Sequence, residues 1–169
     1  MSVHLEFLKK NEQYVADFDK GHLPLPPAKK YTVVTCMDAR VEPARQLGIE
    51  LGDAHVIRNA GGSAKDALRS VVISQRLLGT REIAVFHHTD CGMLTFLTND
   101  LRSLVKAAEP GNAAVAEAVD KIEFLEFADV EESVKADVKF LQENPLVLKG
   151  TTVTGWTYDV TTGKAKRVI

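Results

Sequence analysis

The chain has 169 residues, 45% of them hydrophobic and 26% charged, with a formal net charge of −2. That describes one domain able to bury a sizeable core, with no charge excess to draw it to nucleic acid or an anionic membrane. No apolar stretch approaches the roughly 18 residues of a membrane span, and the N-terminus mixes acids and bases where a signal peptide needs an apolar core. A cytoplasmic location is expected.

Residues 3–18 place Val3, Leu5, Phe7, Leu8, Tyr14, Val15 and Phe18 at roughly helical spacing, which predicts an amphipathic helix. A proline-rich connector follows over 21–27, so residues 1–28 read as an arm (helix plus connector) on a single domain spanning 1–169. The β-branched run 31–35 predicts a buried strand, and Cys36-Met37-Asp38-Ala39-Arg40 begins where it ends. A second strand is expected over 54–58, followed by Asn59-Ala60-Gly61-Gly62. Next comes a helix over 63–78, with Ser63 as N-cap and Gly79 as its stop. A third strand over 82–86 leads into His87-His88-Thr89-Asp90-Cys91-Gly92. Helices are expected over 112–127 and 130–143, the second closed by Asn144-Pro145. A terminal hairpin pairs 151–160 with 164–168 around Thr161-Thr162-Gly163. Alternating strands and helices specify an α/β fold with a mainly parallel central sheet flanked by helices.

The only two cysteines, Cys36 and Cys91, fall one in each of the two motifs at strand ends. A disulfide or a pair of free core thiols are the alternatives to a metal site. A reducing cytosol disfavours the first, and the flanking His88, Asp38 and Arg40 favour metal over the second. Two thiolates and an imidazole suit tetrahedral zinc, one ion per chain. Three protein ligands leave the fourth position to water or a weak carboxylate, as in a catalytic site. Strand alternation lets only one of His87 and His88 face the metal; the i, i+3 spacing to Cys91 favours His88, with His87 as its rival.

Asp38 and Arg40 form a candidate carboxylate–guanidinium pair within reach of that fourth position. Arg40 would hold Asp38 ionised and oriented, and Asp38 would bond the zinc-bound water or take the fourth zinc position itself. Gly61 and Gly62 are candidate substrate-binding residues through a close backbone approach and their amides. His4, His22 and His55 have no partner pattern and read as structural or exposed. Trp156 and Tyr158 read as core or interface aromatics.

Cys36-x-Asp38-x-Arg40 followed by His88-x-x-Cys91-Gly92 resembles the β-class carbonic anhydrases. The likeness extends to His55–Gly61, Leu77-Leu78-Gly79, Gly155–Val160 and Thr162-Gly163, and covers the chain from about Tyr31 onward. It is nearest to the shorter microbial and fungal members. The resemblance implies zinc on Cys36, His88 and Cys91, a catalytic dyad of Asp38 and Arg40, and a sheet of four parallel strands with a fifth at the edge. It also implies a homodimer or homotetramer with the N-terminal helix lying across the partner. The glutamine and aromatic pocket residues of plant-type members, and the bicarbonate-inhibition pocket of others, have no matching motif here. The implied activity is reversible hydration of carbon dioxide to bicarbonate by hydroxide generated at zinc. Hydrolysis of carbonyl sulfide on the same site is the alternative. A non-catalytic zinc protein is the remote one, since a structural site wants four committed ligands.

Overall fold

The run Tyr31–Cys36 forms strand β1, whose second to sixth residues are all buried, as expected for a β-branched strand covered on both faces. It pairs in parallel with β2 (Ala54–Asn59) on one side and β3 (Glu82–His88) on the other. β4 (Thr152–Tyr158) extends the parallel sheet from β3, and antiparallel β5 (Ala165–Arg167) closes the edge, giving the order β2-β1-β3-β4-β5. The computed structural model describes residues 2–169.

Side-chain alternation sorts the sheet into two cores. Val34, Ile83 and Val85 face helices α3 (Ala64–Leu78) and α6 (Val130–Glu143), packing with Ala67, Val71, Val134, Val138 and Leu141. Val33 and Phe86 face the other way, against Ile49, Leu47 and Trp156. The predicted caps of α3 form: Ser63 Oγ accepts from the Asp66 amide, and Gly79 closes the helix at φ +78°; α6 has a cap of its own, Asp129, which accepts from the Glu132 amide at 2.8 Å.

Three helical assignments differ from the expectation. A short α2 (Pro43–Leu47) and an eleven-residue α4 (Thr98–Ala108) lie where no element was predicted. α5 (Ala113–Asp120) stops well before residue 127. The segment after it has other work: Arg102 Nη2 donates to the Ile122 carbonyl at 2.7 Å, and the Glu126 carboxylate accepts from the Thr98 amide at 2.8 Å, capping α4 from outside. Leu125 takes φ +60°, which breaks any helix there.

The N-terminal segment forms a 3-10 turn (Val3–Glu6) and α1 (Phe7–Ala16), and none of its residues is buried. Leu5, Phe7 and Leu8 are 69%, 61% and 79% exposed, so these apolar side chains lie largely open in the single chain. Among the described residues no helix is long and apolar enough to cross a membrane.

Candidate metal centre

Parallel pairing of β1 and β3 brings Cys36 and His88, each the last residue of its strand, to the same carboxyl edge of the sheet, where ligands of open α/β sheets gather. The chain then turns sharply, with Asp90 in the left-handed region at φ +55°, and returns Cys91 to the same place. One donor atom each from Cys36, His88 and Cys91 lie within 4.8 Å of one another, and all three residues are buried. Both cysteines are free, so the disulfide alternative is absent. His88 Nδ1 lies 2.8 Å from the Thr89 carbonyl and must donate to it, which turns the Nε2 lone pair toward the thiols. That Nε2 is buried without a hydrogen-bond partner. An orphaned imidazole nitrogen between two thiols is the donor set that zinc fits.

The electrostatics agree. The Cys36 thiol is pushed well below the usual thiol range, first by a hydrogen bond from Cys91, with burial opposing and His88 assisting. Cys91 moves up, because it keeps the proton shared with Cys36 and because it is buried. His88 is opposed by burial, but the Cys36 thiolate and the Thr89 carbonyl outweigh this and raise it. A dication held by these groups would displace the shared proton and bind both sulfurs as thiolates.

His87, the rival histidine, points to the opposite face. Its Nδ1 meets Ser133 Oγ at 2.7 Å and its Nε2 lies 3.2 Å from Asp137 Oδ2. The alternation that separates Val85 from Phe86 separates the two histidines.

Arg40 donates to Asp38 Oδ1 from its backbone amide and Nε, at 2.8 and 3.0 Å, and to Oδ2 from Nη2 at 2.8 Å. These side-chain and backbone bonds hold the Asp38 carboxyl well below the usual carboxylate range. Asp38 Oδ2 stands 3.8 Å from His88 Nε2, at the margin of the three-donor cluster. Two further residues join this site that sequence reasoning passed over. Asp90 accepts from Arg40 Nη1 at 2.7 Å, and its carbonyl accepts from Nη2 at 2.9 Å, so one guanidinium bridges both motifs. Arg58 donates to the Cys36 carbonyl at 3.1 Å and the Asp38 carbonyl at 2.8 Å, bracing the loop that carries both. Asp90 lay inside a motif and Arg58 inside a segment of the family likeness, but neither spacing specifies its partner.

The cluster opens into a cavity of about 390 Å³ walled by Met37, Met93, Phe96, Leu101 and Phe124, with Asp38 and Gly61 at its edge. Gly61 and Gly62 divide their roles. Gly61 lines this cavity, whereas Gly62 packs beneath it: a Cβ there would lie 2.9 Å from the Thr35 carbonyl carbon and 3.0 Å from the Cys36 nitrogen. The close approach made by Gly62 is therefore to the sheet. His4 and His22 are exposed, and His55 bonds Ser74 Oγ at 2.7 Å. Trp156 stacks on Phe86 with ring centroids 5.6 Å apart, and Tyr158 is half-buried.

Comparison with known proteins places this geometry. A family model described as carbonic anhydrase matches residues 31–165. Beta-carbonic anhydrase 1 of Mycobacterium tuberculosis is 44% identical over 169 residues, covering 99% of each chain. The solved carbonic anhydrase from Glaciozyma antarctica superposes with a TM-score of 0.91 at 54% identity, covering 95% of each chain. A carbon disulfide hydrolase of Acidianus is 33% identical, covering 95% of this chain and 86% of its own. The chain belongs to the β-class carbonic anhydrase family.

Proposed function

We propose that the protein is a zinc enzyme that interconverts carbon dioxide and bicarbonate, with Cys36, His88 and Cys91 as the metal ligands and Asp38 and Arg40 as the catalytic dyad. The observation that carries this reading is the buried three-donor cluster, with an unpartnered His88 Nε2, opening into an apolar cavity beside an ionised carboxylate. Zinc held there supplies the Lewis acidity that makes water nucleophilic near neutral pH. The side chains do the rest. The apolar wall accepts a small uncharged linear molecule and excludes bulk water. Asp38 accepts a hydrogen bond from the attacking water and orients it, and Arg40 keeps Asp38 charged and in place. Gly61, at the edge of the cavity, offers its backbone to the substrate.

Hydrolysis of carbonyl sulfide, or of carbon disulfide as in the named Acidianus relative, is the second reading, supported by that 33% identity and by the apolar cavity. Carbon dioxide is preferred because the 44% and 54% identical relatives are carbonic anhydrases. Stopped-flow hydration of carbon dioxide, run beside sulfide release from carbonyl sulfide and carbon disulfide on one zinc-quantified preparation, tests the choice. Faster turnover of either sulfur substrate overturns it.

We further read residues 2–28 as an arm of one domain that docks on a second copy in a homodimer or homotetramer, because its apolar residues lie largely open in the single chain. Two buried free thiols suit a reducing cytoplasm.

A further inference from the structure

Across the Gly61–Gly62 turn from the metal cluster lies a second cavity of about 180 Å³, lined by His87, Ser133, Asp137 and Phe127. His87 is only 2% exposed, yet its ring is fully engaged. Ser133 Oγ lies 2.7 Å from Nδ1, Asp137 Oδ2 and the Gly62 carbonyl lie 3.2 and 3.3 Å from Nε2, and the ring stacks on Phe127 with centroids 5.4 Å apart. The partners of Nε2 are both acceptors. Asp137 Oδ2 already accepts the Ala64 amide at 2.8 Å and the Gly62 carbonyl can only accept, so Nε2 carries the proton. On the other side of the ring Nδ1 meets Ser133 Oγ, whose hydroxyl donates to the Val130 carbonyl at 2.8 Å.

What this ring grips bears on the metal site. Gly61 and Gly62 both take positive φ, at +76° and +72°, and have no side chains to hold them in position. Their placement rests on groups that clasp the surrounding backbone: His87 on the Gly62 carbonyl, Asn59 Nδ2 on the Ser63 carbonyl at 2.9 Å, and Asp137 on the Ala64 amide. Gly62 in turn abuts the Cys36 backbone, and Gly61 lines the metal cavity. His87 also directly precedes His88 in β3, so anchoring one ring to α6 sets the strand end that carries the other.

We propose that His87, braced by Ser133 and Asp137, is a positioning residue for the metal centre. By clasping the Gly61–Gly62 turn and the end of β3, it holds Cys36 and His88 at the spacing their ion requires. The proposal rests on the zinc reading above. Direct hydrogen-bond partners of metal ligands commonly change metal affinity tenfold to a hundredfold when removed; His87 acts one step further out, through the Gly62 backbone and the shared strand end, so the lower end of that range applies.

The test follows metal release from the zinc-loaded protein into excess chelating dye, with the thiolate-to-cobalt charge-transfer band of the cobalt-substituted protein as a second readout. The variants are His87→Ala, His87→Gln, Ser133→Ala and Asp137→Ala, all measured far below their melting temperatures. Release is expected to accelerate about tenfold in His87→Ala and Asp137→Ala, and less in Ser133→Ala, with a shifted cobalt band. His87→Gln, whose amide can donate where Nε2–H does, should return within a few-fold of wild type. A merely structural role would lower thermal midpoints while leaving release rate and band unchanged. Where His87→Ala fails to fold, Asp137→Ala and Ser133→Ala decide. Folded Asp137→Ala and Ser133→Ala proteins that release zinc at the wild-type rate with an unshifted band overturn the proposal. A wild-type protein that binds neither zinc nor cobalt overturns the zinc reading beneath it, so the two failures are told apart.

Discussion

Removing the Asp38 carboxylate should separate metal binding from turnover. Asp38 is not one of the three converging donors, so Asp38→Ala should keep nearly all of its zinc. The size of the rate loss follows from how the carboxylate is held. Proton-transfer catalysis by a well-matched group contributes about a hundredfold to ten-thousandfold. Asp38 is poorly matched as a base, because three donor contacts from Arg40 keep its carboxyl well below the usual range. Its share is then mostly orientation of the nucleophile, and the expected loss in kcat is on the order of tenfold to a thousandfold, at the lower end of base catalysis. Arg40→Lys should fall between wild type and Asp38→Ala. Lysine has no fork to satisfy both Asp38 oxygens and Asp90 together, so part of the orientation is lost while a charge remains. Stopped-flow hydration of carbon dioxide with a pH indicator, normalised to zinc content, reads both variants. Zinc-replete Asp38→Ala turning over at the wild-type rate would refute the dyad.

Cys36→Ser, His88→Ala and Cys91→Ser should each lose most bound zinc by elemental analysis, and full retention in any one removes that residue from the ligand set. Chelating the metal from the wild type should lower its thermal midpoint by on the order of 10 °C, since an ion bound only by the folded state adds several kcal/mol. An unchanged midpoint argues that the cluster is assembled without the ion. Replacing Leu5, Phe7 and Leu8 together by Asp should shift sedimentation toward monomer, because these side chains are exposed in the single chain; a wild type that is already a fully active monomer at micromolar concentration contradicts the arm's proposed role. Gly62→Ala should cost about 2 kcal/mol or more in urea unfolding, combining a positive φ with a Cβ within 3.0 Å of three backbone atoms. A cost below about 0.5 kcal/mol would mean the sheet yields more readily than the distances imply.

Much of the protein is legible locally. β1 and β3 are short apolar runs at motif boundaries, α3 carries its own N-cap and glycine stop, and the two metal motifs contain every member of the three-donor cluster. Those signals lie within a few residues of what they determine, so a linear reading finds them. α4 shows the opposite case. Its first residue has no capping side chain beside it, and Glu126, far along the chain, supplies the cap instead, while spending residues 121–127 on that task ends α5 early. The Thr98–Glu126 bond, the Arg102–Ile122 bond and Leu125 at positive φ together give the segment after α5 a non-helical path that no neighbouring residue signals.

The amino-acid sequence by itself determined the chemistry: which residues can bind a soft dication, which carboxylate and guanidinium accompany them, and a parallel sheet to bring strand ends together. Spacing favoured His88 over His87, but tertiary structure alone decided what His87 does on the opposite face, that Gly62 presses on the sheet while Gly61 lines the cavity, and that Asp90, Arg58, Ser133 and Asp137 brace the site. The physical reason is range. Donor chemistry and backbone propensity belong to single residues and their neighbours, whereas orientation is set by hydrogen bonds and packing between segments that meet only when the sheet forms.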